Sequence, residues 1–535
     1  MAIMDMAMAE KTSKSHLKLQ GFAIAGLFLS VSALAGDWQF DPSLGLTETY
    51  TNNVELNQLD KQSSLVSQFI IGADANYSSR KLQFSFAGTE TLVGYSHNSE
   101  LNDDYQTLRA DASYSLWHDK LQVIASSAIT NVSQNDIGNS LADLVSGDTV
   151  QQRNHSAGLQ YNTANSDYAL SSSLIYNLVE TEDNIGESNG YTALINSVNG
   201  NAARTIFWQV DGSFSNRKNN GFTSENYRLE TKIGAITPYK LTPFVRFYNE
   251  SVTGTAAGSN PDAIPSWGPG FRYKAAKHLI IDVSYNYIRD DSLASDDSDY
   301  IAADIDWQPS ARTSLKAGYS NRFFGDSYEL DFSHRTRRLT NTISYHETVE
   351  VFDRNSYREV SVGEIWCPEN ATDINACLPL GQSPDDNNGF VSIPLTSLVL
   401  EENNEFTLNK RLAWQSQLAL ARTTFTLDLS NRDRESLSTG IIDNYLDARF
   451  SITRRMSARS DIIFSVNYNK NIFDKDRPDG PRQEDTYKTL SSTYNRSLAS
   501  SLNAFLTLQY LDRESNFERF TYTEARASIN LTKDF

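Results

Sequence analysis

The chain has 535 residues, of which 39% are apolar, and its mean hydropathy of −0.46 argues against a helical membrane protein. The 26 Tyr and 26 Phe residues, together with many Ser and Thr, are typical of β-strands. A net charge of −19 without any basic stripe excludes nucleic acid as a partner. Length alone leaves open one large barrel or several soluble domains.

The N-terminus has the three parts of a secretory signal peptide. Lysines within residues 11–18 precede an apolar stretch over 21–31, and Ala-Leu-Ala at 33–35 supplies a cleavage motif. The apolar stretch is too short to span a bilayer. We therefore expect a signal peptide over residues 1–35, Sec-dependent export and a mature chain over 36–535.

Beyond the signal peptide, apolar side chains recur at every second position over segments of about ten residues. This period predicts strands with one apolar and one polar face. Because such segments follow one another from end to end, we expect a barrel whose apolar faces contact lipid and whose polar faces line a lumen. Clear examples are Leu82, Phe84, Phe86 and Leu92; Leu170, Leu174, Tyr176 and Leu178; Leu408, Leu412, Trp414 and Leu418; and Leu502, Ala504, Leu506, Leu508 and Tyr510.

Short turns alternate with longer polar loops, as in barrels with both termini on the periplasmic side. The pattern predicts an all-β fold: a single large antiparallel transmembrane β-barrel of about 24 strands, with a range of roughly 20 to 26. Strand-like sequence begins at Trp38–Tyr50, so we expect no N-terminal plug. The longest loop, residues 353–403, is predicted to be extracellular and either to cap or to constrict the lumen.

The polar faces of the predicted strands carry charges of both signs. A mixed lining predicts a hydrated, weakly selective pore or one suited to a polyhydroxylated chain, whereas a ring of one sign would select ions strongly. The alternative is that these charges merely neutralise one another across neighbouring strands. The lumen-lining candidates are Arg109, Asp111, Arg228, Glu230, Lys232, Glu329, Asp331, Asp447, Arg449, Glu524 and Arg526.

Two cysteines, Cys367 and Cys377, lie in the longest predicted loop. An exported chain meets an oxidising compartment, so the spacing favours a disulfide that closes this segment. A metal site would need further Cys or His nearby, and the surrounding sequence has none. We expect the disulfide to stiffen the loop and to add little to barrel stability.

The remaining polar clusters match no known catalytic or metal-binding pattern. Aspartates within residues 290–299 lack the Gly turn and terminal Glu of a calcium-binding loop, and the seven histidines are scattered. The chain has no motif of a serine hydrolase, a zinc hydrolase or a phosphate-binding loop. We expect no catalytic residue, no cofactor, no metal and no enzymatic activity.

The C-terminal strand resembles the membrane-insertion signal of bacterial outer-membrane barrels. The chain ends on the aromatic residue Phe535 after an alternating strand, although Lys533 stands where that family usually has an aromatic residue. The resemblance implies that the chain is inserted into the outer membrane by the barrel-assembly machinery.

A second resemblance spans the mature chain and is carried by two short segments. Trp38–Leu56 contains Pro-Ser-Leu followed by Glu-Thr-Tyr-Thr-Asn-Asn-Val, and Ala421–Ser430 is a tight turn that opens a strand. Both segments resemble the outer-membrane β-barrel proteins associated with PEP-CTERM sorting and exopolysaccharide gene clusters. The resemblance implies a barrel that works beside surface-polysaccharide production or export, without catalytic residues.

These observations predict a porin-like barrel in the Gram-negative outer membrane that acts as a conduit or accessory for export of surface exopolysaccharide or PEP-CTERM proteins. The alternatives are a general diffusion porin for small solutes and a structural outer-membrane scaffold; the residues favour an outer-membrane hydrolase least. The expected partners are outer-membrane lipid, lipopolysaccharide, the barrel-assembly machinery and surface polysaccharide or its export apparatus.

Overall fold

The computed structural model describes residues 36–535 except 118, 134–142, 147–148, 183, 185, 220, 255–261, 289–298, 369–389 and 477–481. The side chains of 262–263, 352–365 and 391–404 also lie outside the description. The predicted signal peptide, most of the aspartate cluster within 290–299 and Cys377 therefore fall outside the described residues.

The described chain is almost entirely β-strand. Its first half consists of β1 (Asp37–Thr51), β2 (Ser64–Ser78), β3 (Leu82–Tyr95), β4 (Asp103–Trp117), β5 (Leu121–Ser133), β6 (Thr149–Ala164), β7 (Tyr168–Thr181), β8 (Ser188–Asn199), β9 (Ile206–Asn219), β10 (Phe222–Ala235), β11 (Leu241–Thr253) and β12 (Asp262–Ala263). Its second half consists of β13 (Ser266–Ala276), β14 (Leu279–Ile288), β15 (Tyr300–Ser310), β16 (Thr313–Arg322), β17 (Gly325–Arg335), β18 (Leu339–Pro368), β19 (Phe390–Ala419), β20 (Thr423–Ser436), β21 (Ile442–Ser457), β22 (Ser460–Ile472), β23 (Glu484–Ala499), β24 (Leu502–Ser515) and β25 (Tyr522–Asp534).

Single 3₁₀ turns occur at Ser99–Leu101 and Glu518–Phe520. Within the described residues, neither these turns nor any other helix has the length and apolar character needed to cross a membrane.

The strands form one closed antiparallel sheet. β1 pairs with β2 on one side and with β25 on the other, where the ladder runs from Ser43 opposite Asp534 to Thr51 opposite Arg526. Among the described residues, the two-residue strand β12 pairs only with β11, so the other 24 strands form the wall. The predicted all-β antiparallel barrel and its strand number are confirmed. Because residues 1–35 are not described, the absence of an N-terminal plug stays a prediction.

The two ends of the barrel differ in their connections. At the end that holds both termini, neighbouring strands are joined by two to six residues. At the opposite end, the connections reach 21 residues, between β18 and β19. The predicted alternation of short and long connections is therefore present, with a few short turns such as 323–324 at the long-loop end.

The structure corrects the extent of the longest predicted loop. Residues 353–368 and 390–403 continue β18 and β19 as paired strands, and only 369–389 lie between them. Beyond Tyr345, β18 has no ladder partner in β17, and β19 pairs with β20 only from Thr407 onward. The outer half of this hairpin therefore extends past its neighbours. The sequence does not reveal this extension, because its polar residues hide the period of two.

The two faces of the sheet have opposite character. Leu46, Phe69 and Leu92 lie side by side in register on β1, β2 and β3, and all three side chains are exposed. Side chains that meet across non-adjacent strands, such as Lys232 and Asp304, must instead lie on the concave inner face. Leu229 and Ile233 lie an odd number of positions from Lys232 on the same strand. Their side chains therefore lie on the outer face, where they are exposed. The outer surface is thus apolar and the inner surface polar.

Candidate functional site

The inner face of β10–β16 carries a buried network of charged side chains, which we call the packed sector. Lys232 on β10 donates to Asp304 on β15 over 2.6 Å and lies 3.6 Å from Asp282 on β14. Arg246 on β11 donates to Glu230 over 2.8 Å. The Lys232 and Arg246 side chains are only 6% and 3% exposed. Charges this deeply buried persist only when each has an opposite partner.

Small residues explain why these strands approach one another. On the inner face, Gly268 and Gly270 of β13 lie between β11 and β14. A Cβ on Gly268 would lie 1.8 Å from the carbonyl oxygen of Tyr285, and one on Gly270 would lie 2.5 Å from the Phe244 ring. Without these side chains the wall can curve tightly, so β10 reaches β15 although β11, β13 and β14 lie between them.

The network continues toward the long-loop end of the barrel. Arg322 on β16 donates through Nε to Glu250 on β11 over 2.9 Å, and Tyr248 donates its hydroxyl to the same carboxylate over 2.6 Å. Arg322 also donates to the carbonyl oxygen of Glu347 over 2.8 Å. This part of the network ties the inner face of β11 to the base of the β18–β19 hairpin.

Arg228, Glu230 and Lys232 of this sector are predicted from the sequence, whereas most of their partners are not. Arg246, Tyr248 and Glu250 repeat the same alternation on the next strand, so the same pattern could have revealed them. Contacts across three intervening strands have no signal in a single sequence. The missed residues are Arg246, Tyr248, Glu250, Arg272, Asp282, Asp304 and Arg322.

Other parts of the inner face, on β4, β17, β18 and β21, are open to solvent, and we call them together the open sector. They comprise Arg109, Asp111, Glu329, Asp331, His346, Asp447 and Arg449. Arg109 is 78% exposed and lies 2.9 Å from Asp111 on the same strand. Glu329 and His346 are 58% and 43% exposed. Asp447 accepts hydrogen bonds from Ser430 and Asn469, and Arg449 is exposed. These side chains remain hydrated, unlike those of the packed sector.

The connection between β5 and β6 supplies a third feature of the inner face. Ser146 donates to Glu524 on β25 over 2.6 Å, and Arg526 forms ion pairs with both Glu524 and Asp143. Val145 packs in an apolar cluster with Val54, Val66 and Val93. The predicted lumen pair Glu524 and Arg526 is therefore buried beneath residues 143–146 of this connection.

Two further predicted features lie at the hairpin tip and at the chain end. Cys367 is buried and disulfide-bonded. Because Cys377 lies outside the described residues, the pairing of the two stays a prediction. The backbone N–H of Phe535 donates to the carbonyl oxygen of Pro42 over 3.0 Å, next to the seam between β1 and β25.

A closed sheet of 24 antiparallel strands, apolar outside and charged inside, defines a transmembrane β-barrel of the outer-membrane type. Closure pairs the backbone groups of every wall strand with a neighbour, which the hydrocarbon region of a membrane requires.

Neither a known protein family nor a curated protein matches this sequence. Solved structures similar to this chain include the FrpB iron transporter of Neisseria meningitidis, with 10% identity, 92% of this chain and 81% of that chain covered, and a TM-score of 0.43. The siderophore receptor PirA of Pseudomonas aeruginosa has 9% identity, coverages of 93% and 80%, and a TM-score of 0.39.

A loop-deletion mutant of OmpT, an outer membrane protein of Vibrio cholerae, has 10% identity, coverages of 94% and 100%, and a TM-score of 0.33. At these values the likeness carries no argument about function.

Proposed function

We propose that this barrel is a porin-like conduit in the outer membrane that serves export of a surface exopolysaccharide or of PEP-CTERM proteins. The observation that carries the proposal is the open sector, a hydrated inner surface beside a packed one. The mature chain has no N-terminal plug in this proposal, and the conduit involves no covalent chemistry.

The chemistry of the open sector suits a polyhydroxylated chain. Arg109 and Asp111 place opposite charges 2.9 Å apart on the wall. Hydroxyl groups can donate to carboxylates and accept from guanidinium groups. A sugar polymer can therefore form hydrogen bonds with both the acidic and the basic side chains. A balanced lining also avoids the strong ion selectivity of a one-sign ring.

The resemblance of Trp38–Leu56 to exopolysaccharide-associated barrels supports this class of cargo. In this proposal the chain is exported by the Sec route, inserted by the barrel-assembly machinery and surrounded by outer-membrane lipid and lipopolysaccharide. Its further partner is the polysaccharide or its export apparatus.

The test is single-channel conductance of the refolded mature chain in planar bilayers, with a matched pair of variants on β4. Arg109→Trp places an indole in the open sector, whereas Leu108→Trp places it on the outer face. We expect a lower conductance for Arg109→Trp and an unchanged one for Leu108→Trp. Equal effects of the two variants would contradict a path along this part of the wall.

Blockade by added oligosaccharides distinguishes the alternatives. Long, concentration-dependent current blocks by charged oligosaccharides support a polysaccharide conduit, and free passage of small solutes alone supports a general diffusion porin. Absence of any conductance, even after residues 353–403 are replaced by a short turn, would refute the channel and favour a structural scaffold.

A further inference from the structure

Three side chains at the edge of the open sector have the composition and spacing of a metal-ion site. Glu329 and Asp331 alternate on the inner face of β17, and His346 lies beside them on β18. The Nε2 atom of His346 is 3.0 Å from Asp331 Oδ1, and its Nδ1 atom is 3.9 Å from Glu329 Oε1. One ligand atom from each residue lies within 4.8 Å of the other two.

The spacing is close to that of a filled coordination site. Two ligand atoms that share an ion at about 2.0–2.2 Å from each can be up to roughly 4.4 Å apart. Small side-chain rotations would therefore bring Glu329, Asp331 and His346 onto one ion. The backbone of Glu329 and Asp331 is held in the ladder of β17 with β16, and that of His346 in the ladder of β18 with β19, so these rotations need no movement of the wall.

The donor set selects a class of ion. An imidazole nitrogen with two carboxylates suits divalent transition metals such as zinc, nickel, copper and ferrous iron. Calcium and magnesium prefer oxygen ligands alone, so the histidine disfavours them. All three side chains are partly exposed, so water can complete the coordination sphere from the lumen.

Two neighbouring cations oppose this site. Lys316 on β16 lies opposite Asp331 in the register, Arg411 on β19 lies opposite His346, and both are exposed. Their positive charges would weaken metal binding without blocking any ligand atom, because Coulomb repulsion through water is modest. We therefore expect removal of Lys316 to tighten the site.

We propose that Glu329, Asp331 and His346 bind one divalent transition-metal ion at the lumen wall. The site does not depend on the proposed conduit, since it requires only the barrel fold and access to water. An ion held here would place a positive charge in the open sector.

The test is a titration of the refolded, tag-free mature chain in detergent with Ni²⁺ by calorimetry and with Cu²⁺ by electron paramagnetic resonance. We expect one equivalent of bound ion and, for Cu²⁺, hyperfine coupling to one imidazole nitrogen. His346→Ala and the isosteric double variant Glu329→Gln with Asp331→Asn should each weaken binding by about tenfold or more. Lys316→Ala should strengthen it.

His334→Ala is the matched control for His346→Ala, because His334 lies on β17 with the two carboxylates but faces outward, where it contacts Thr313 over 2.9 Å. It should bind the metal as the parent chain does. Unchanged binding in His346→Ala, an equal loss in His334→Ala, or weak binding of many equivalents would overturn the proposal. Heat-modified migration in gels confirms that each variant is folded.

Discussion

Lys232 on β10 donates to Asp304 on β15 over 2.6 Å, although β11, β13 and β14 lie between the two strands. Such a contact is possible only where the wall curves tightly. The inner surface of this barrel is therefore divided: side chains fill the concave space of β10–β16, whereas the inner face at Arg109 and Glu329 stays hydrated. The proposed conduit would therefore run beside the packed sector.

The curvature depends on Gly268 and Gly270, which present no side chain on the inner face of β13. Gly268→Ala would place a Cβ against backbone atoms of Tyr285 and Asn286, which cannot rotate away. We expect the free energy of unfolding to fall by about 1–3 kcal/mol, as in overpacked interiors. Urea unfolding in detergent, followed by tryptophan fluorescence, measures it.

Gly94→Ala is the control for this change, because the nearest atom to its Cβ would be 3.8 Å away. Its stability should match that of the parent chain. Equal stability of both variants would show that the wall does not need Gly268.

The buried charge of Lys232 stabilises the packed sector. Lys232→Ala removes the cation from Asp304, which is 49% exposed, whereas Asp282 and Glu230 keep their ion pairs with Arg272 and Arg246. Because no carboxylate is left both buried and unpaired, we expect a loss of about 1.5–3 kcal/mol in the same unfolding assay, as for one hydrogen bond to a charged group. Lys488→Ala removes an exposed lysine from Glu514 and should change little, because water screens such pairs. A small effect at both lysines would contradict a compact network.

The anchor of residues 143–146 can be tested by thiol labelling. Val145 is buried, so Val145→Cys should react slowly with a maleimide. Adding Arg526→Gln removes the ion pair to Asp143 and should increase the labelling rate. Adding Arg449→Gln instead, at an exposed inner position, should leave the rate unchanged. Slow labelling in every background would show that other contacts hold the connection.

Reduction of the disulfide at Cys367 should leave the barrel intact. Beyond Tyr345 and Thr407, β18 and β19 pair only with each other, so a bond at their tip constrains the hairpin and not the wall. We expect the same heat-modified migration with and without reductant, while mass spectrometry of the peptides tests the predicted link to Cys377. A reductant-dependent loss of the folded band would mean that the tip supports the barrel.

The amino-acid sequence alone predicts the strands and their two faces, because alternation is a local property of extended backbone. The apolar positions from Leu502 to Tyr510 lie within β24, and the alternation of Arg228, Glu230 and Lys232 places them on the face opposite Leu229. Strand number follows from counting such segments.

Curvature and long-range contacts depend on how the whole sheet closes. Whether Lys232 is hydrated or buried depends on Gly268 and on side chains more than fifty residues away, such as Asp304. Arg526 likewise meets Asp143 only because closure brings β25 beside the connection between β5 and β6. Local residue patterns do not encode such distances, so the division of the lumen emerges only in the closed barrel.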